Sequence, residues 1–145
     1  MIILVLVLSA CDFKDTQAAI NYDISLSADQ ETHAVTSSAT GTASLRLVKE
    51  QRATYTANLL KITGTYTGLS GAALKAHLHG PAMIDADGPI IFALTIVEGT
   101  SPGTGTFSGE KDLTENQIQL YRSKQSYINI HTAKYPKGEI RGQAQ

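Results

Sequence analysis

Four histidines, His33, His77, His79 and His131, carry most of the chemistry this sequence offers. In His77-Leu78-His79 both imidazoles point to one face of a strand, because side chains alternate, while Leu78 points the other way, into the core. In Tyr127-Ile128-Asn129-Ile130-His131 the isoleucines form the buried set, so Tyr127, Asn129 and His131 share the opposite face. If the two strands lie near each other, His77, His79 and His131 converge, and three imidazoles suit copper or zinc. The competing reading is three surface or hydrogen-bonding histidines near loop ends, and spacing alone leaves both open. His33 reads first as a surface loop residue and second as a local fourth ligand.

Three further residues attach to this set. Asn129 and Glu139 are candidates to orient a histidine by hydrogen bonding, with Arg141 beside them. Glu139 and Arg141 share a strand face, and their ordinary reading is an exposed cross-strand charge arrangement, stabilising by well under about 1 kcal/mol. Copper and zinc are the cofactors such a set would take, and nothing else in the sequence names one. No phosphate loop, His-Glu-x-x-His or calcium loop occurs. Asp85 and Asp87 flank one alanine without a helix or groove to give the pair meaning, so an acid/base hydrolase has no support. The single cysteine excludes an intrachain disulfide and a Cys-based zinc cage.

The elements that must position these side chains have a period of two. Tyr22, Ile24 and Leu26 alternate with polar residues, and Ala43, Leu45 and Leu47 repeat the pattern. Residues 53–63 continue it. In the stretch 72–79, Leu74, Ala76 and Leu78 share a face, and 90–97 is nearly continuous apolar sequence, as for a strand covered on both faces. Further strands are expected at 104–107, 126–132 and 139–144. Tyr135-Pro136-Lys137-Gly138 reads as the turn joining the last two into an antiparallel hairpin. Gly80-Pro81 and Asp87-Gly88-Pro89 read as turns that bracket a loop, 82–86, on the rim of a site. One short helix is expected near 115–123, with Thr114 and Gln117 as its capping box and Leu113 and Ile118 as its hydrophobic staple. The fold class is therefore all-β, an antiparallel Greek-key-like β-sandwich of superoxide-dismutase-like or immunoglobulin-like type.

Composition agrees with one such domain. The chain has 145 residues, 42% hydrophobic and 17% charged, with 16 Thr, 12 Gly, 4 Pro and no Trp. A net charge of −1, from 12 basic and 13 acidic residues, argues against a nucleic-acid partner. Residues 1–10 form an apolar run too short to span a bilayer, and Leu8-Ser9-Ala10-Cys11 resembles the bacterial lipobox. The expected organisation is a lipoprotein signal peptide at 1–10, truncated because it lacks a positive start. A lipidated Cys11 and tether at 11–20 and a domain at 21–145 follow. The lipid on Cys11 makes the membrane a partner and the bacterial cell envelope the location, on its periplasmic or extracellular side. Asp12 after that cysteine is an inner-membrane retention signal in some Gram-negative bacteria.

Several motifs occur in a fixed order: His77-Leu78-His79-Gly80-Pro81, Asp87-Gly88-Pro89-Ile90, Leu113-Thr114, Tyr127 to Thr132, and Pro136-Lys137-Gly138-Glu139-Ile140-Arg141-Gly142-Gln143. With the opening Leu26-Ser27-Ala28-Asp29-Gln30-Glu31, this series resembles the CHRD domain, named for its repeats in chordin. The resemblance implies a β-rich extracellular module, and it departs from the family pattern at Thr32-His33, where prolines are usual. A weaker resemblance is to copper–zinc superoxide dismutases, which also carry a His-x-His pair on a strand and an arginine that attracts an anionic substrate, the role Arg141 would take. Against it stand the lone cysteine, only four histidines and the missing zinc loop. The expected function is a non-enzymatic binding module for an unidentified protein or extracellular ligand. The alternative is a copper- or zinc-binding protein using the three histidines, with dismutase-like activity less favoured.

Overall fold

The computed structural model describes residues 20–145; the expected signal peptide, Cys11 and nearly all of the expected tether lie outside the described residues. Eight strands follow one another: β1 (Asn21–Ser27), β2 (Thr40–Gln51), β3 (Thr56–Thr67), β4 (Lys75–His79), β5 (Ile90–Glu98), β6 (Gly105–Asp112), β7 (Tyr127–His131) and β8 (Ile140–Gln143). Among the described residues one α-helix, α1 (Glu115–Arg122), lies between β6 and β7. All strand pairings are antiparallel, in the order β1-β2-β3-β6-β5-β4-β7-β8. The last strand returns to the first through Ser27 and Arg141, so the sheet closes into a barrel. One closed sheet thus stands where two separate sheets were expected.

The alternating residues read from the sequence fill the barrel. Leu26, Leu45, Leu60, Ile62, Leu78, Phe107, Ile128, Ile130 and Ile140 are each at most 1% exposed. Burying each such side chain stabilises the fold by about 1.5–3 kcal/mol. Volume is matched across strands: Ala43, Gly64 and Phe107 occupy one row, and a side chain at Gly64 would take the space of the Phe107 ring. Helix α1 has the expected capping box, with Gln117 N–H donating to Thr114 Oγ1 at 3.3 Å and Thr114 N–H to Gln117 Oε1 at 3.1 Å. Its buried residues, Ile118 and Tyr121, pack on the barrel, where Tyr121 meets Tyr22 edge to face at 5.0 Å.

Two local expectations fail. Leu74 lies before β4 and is 59% exposed, so it does not join Ala76 and Leu78 in the core. The apolar run in β5 is not covered throughout: Leu94 is buried and Ile91, Phe92 and Ile96 are partly buried, whereas Ile90 and Val97 are more than half exposed. A run of apolar residues records what a strand can bury, and the covering elements decide what it does bury.

Candidate metal centre

Strand β4 lies between β5 and β7, and β7 between β4 and β8. Leu78, Ile128 and Ile130 point inward, so alternation turns His77, His79, Tyr127, Asn129 and His131 outward. Register sets His79 beside Tyr127, His77 beside Asn129, and Asn129 beside Arg141. His77, His79 and His131 meet on this face, each with a ring nitrogen within 4.8 Å of the other two. His33 is elsewhere, with its Nε2 3.1 Å from the Gly138 carbonyl.

The hydrogen bonds around the rings decide which nitrogens are available. His131 Nδ1 lies 3.1 Å from the Pro136 carbonyl, and His79 Nδ1 lies 2.8 Å from the Gly88 carbonyl. A carbonyl only accepts, so both Nδ1 atoms carry the proton and both Nε2 atoms present lone pairs. This second hydrogen bond to each ring is the arrangement that orients metal-ligating histidines. His131 Nε2 accepts a hydrogen bond from His77 Nδ1–H at 3.2 Å, so a metal at this pair would displace that proton to His77 Nε2. Tetrahedral zinc with bonds of 2.0–2.1 Å separates its nitrogen ligands by about 3.3 Å. That pair therefore already has a ligand spacing. His79 Nε2 is buried and has no hydrogen-bond partner.

The third ring is held from several sides. His79 stacks on Tyr127 at 4.7 Å with planes 4° apart, and the Arg141 guanidinium lies 3.7 Å over the same tyrosine. The loop 80–89 folds over this stack: Gly80 N–H donates to the Pro89 carbonyl, and Gly88 N–H to the Tyr127 hydroxyl. A Cβ at Gly88 would sit 2.6 Å from the Pro81 carbonyl oxygen, so only glycine permits this close approach.

Burial lowers the pKa of all three histidines. For His77 it acts with repulsion from His131, His79 and Lys75, and brings the value to about 4. His79 and His131 are lowered chiefly by desolvation, opposed by their carbonyl partners and, at His79, also by the Asn129 side chain. The rings are therefore neutral at pH 7, the form that binds metal.

Glu139 and Arg141 are not the exposed pair expected. Both are 0% exposed, because loops cover the outer face of β8 as the core covers its inner face. Arg141 Nη2 donates to the Met83 carbonyl and to Gln143 Oε1. Glu139 accepts from Ser37 Oγ, Ser70 N, Ser70 Oγ and Thr132 Oγ1, all within 2.8 Å, and these partners do not include a histidine. Of the three residues expected to flank the histidines, Asn129 alone lies against one of them, His79. Sequence reasoning missed the donors to Glu139: Ser37 and Ser70 are 102 and 69 positions away, beyond any local signal.

No curated protein and no solved structure matches this chain. A family model, the CHRD domain, matches residues 22–144. That span contains nearly the whole barrel and all three clustered histidines, and the chain belongs to the CHRD domain family.

Proposed function

We propose that this CHRD domain is a binding module whose ligand is a transition-metal ion, copper or zinc, held by His77, His79 and His131. The observation that carries this reading is His79 Nε2, a buried lone pair without a partner, beside two imidazoles already at ligand spacing. Leaving such an atom unsatisfied costs about 1–3 kcal/mol, and a bound cation removes that cost. Supported by Leu8-Ser9-Ala10-Cys11, the module works at the bacterial envelope, tethered through lipid on Cys11. Dismutase-like turnover is not part of the proposal, because Arg141 is fully buried beneath the Met83 carbonyl and cannot draw in a substrate anion.

Metal content after dialysis, followed by titration with zinc(II) and copper(II), tests the reading on the full chain. One equivalent should be retained, and a variant with His77, His79 and His131 all changed to alanine should retain none. Equal uptake by both proteins, or uptake by neither, would overturn it. A partner protein would then be the ligand to seek.

A further inference from the structure

Asn129 is 3% exposed and stands beside His77 in the register of β4 and β7. Its Nδ2 donates to the Lys137 carbonyl at 3.4 Å, which identifies the other end of the amide as oxygen. That oxygen, Oδ1, is buried without a donor. The adjacent ring of His79 has the same deficit at Nε2, since its Nδ1–H is committed to Gly88. Two buried acceptors thus lie in one site with nothing to accept from.

Few things satisfy both atoms together. Turning the amide over would offer His79 a donor, but it would set Oδ1 against the Lys137 carbonyl. A proton on Nε2 would join the two atoms by a hydrogen bond, but only by placing an imidazolium in a position 8% exposed. A cation takes both lone pairs at once. Resting on the metal reading above, we propose that Asn129 Oδ1 is the fourth ligand, completing a set of three imidazole nitrogens and one amide oxygen. Four protein ligands close a tetrahedral site, which holds its ion without an open position for substrate. An oxygen donor among imidazoles also selects a divalent ion over copper(I), which prefers thiolate and thioether ligands.

Cobalt(II) reports coordination number by the intensity of its visible bands, and zinc(II) competition reports affinity. Both are measured on the full chain and on its Asn129→Leu and Asn129→Asp variants. The native chain should show the intense bands of a four-coordinate ion. Asn129→Leu should bind zinc about 10- to 100-fold more weakly, with fainter bands as water enters. Asn129→Asp should keep the bands and bind at least tenfold more tightly, because a full charge replaces the amide dipole. Unchanged affinity and spectrum in Asn129→Leu would overturn the proposal and leave a three-histidine site with a water serving Oδ1. Should that variant fail to fold, unchanged affinity in Asn129→Asp would overturn it equally. No uptake by the native chain would remove the metal reading itself, an outcome distinct from either.

Discussion

Two buried carboxylates on this chain are treated in opposite ways by their surroundings. For Glu139, burial alone pushes the pKa up, but hydrogen bonds from Ser70, Thr132 and Ser37 together outweigh it and lower the net value. Its contribution to stability is present above the unfolded carboxylate pKa and is lost as pH falls through the folded one. Glu31 has a side chain only 2% exposed, with Oε1 unpartnered. Burial raises its pKa to about 7, with the nearby charge of Arg141 lowering it and that of Asp87 raising it. The folded state then holds a proton that the unfolded state releases, so this group removes stability as pH climbs from about 4.5 to 7. Gly138, at φ +133°, leaves the space that the Glu31 carboxylate occupies, and any larger residue there would meet it. Glu31→Gln should therefore raise Tm at pH 8 by roughly 3–6 °C and change little at pH 5. Thermal melts at the two pH values check this; an equal shift at both would show that the charge of Glu31 is not the cause.

At the scale of elements, the histidines depend on two connections. The loop 80–89 supplies the Gly88 carbonyl to His79, and the turn between β7 and β8 supplies the Pro136 carbonyl to His131. Each carbonyl fixes a ring tautomer, and each belongs to a turn marked by glycine and proline. Gly88→Ala would drive a Cβ against the Pro81 carbonyl and push the loop off the stack of His79, Tyr127 and Arg141. Zinc affinity should fall about 10- to 100-fold while the far-ultraviolet circular dichroism stays that of a β-barrel. Isothermal titration beside the spectrum decides it, and native affinity in this variant would show that the loop carbonyl does not orient His79.

For the whole molecule, the histidines join strands that are neighbours in the barrel but distant along the chain: His77 and His131 are 54 positions apart. An ion held between β4 and β7 binds the folded state and not the unfolded one. At a free zinc concentration 100 times Kd, it should stabilise the chain by about 2.7 kcal/mol, raising Tm in a concentration-dependent way. The His77, His79 and His131 triple alanine variant should show no such rise. A similar rise in both proteins would place the zinc elsewhere on the chain.

Much of this architecture is written locally. Alternation of apolar and polar residues marks β1, β2 and β7, since side chains two apart share a face whatever the strand pairs with. The capping box of α1 needs only Thr114 and Gln117, three positions apart, and the same local rule turns His77 and His79 to one side. The ordered motifs ending in Lys137-Gly138-Glu139-Ile140-Arg141-Gly142-Gln143 suffice to indicate the family. Tertiary structure alone decided that β8 returns to β1, which makes a closed barrel of what could equally have been two sheets. It also decided that β7 lies beside β4, without which His131 would be an isolated histidine. The same holds for Glu139 and Arg141, which look like surface charges by type and spacing but are buried by segments from distant parts of the chain. Alternation is a property of consecutive backbone units, whereas pairing and burial depend on what the rest of the chain lays against them.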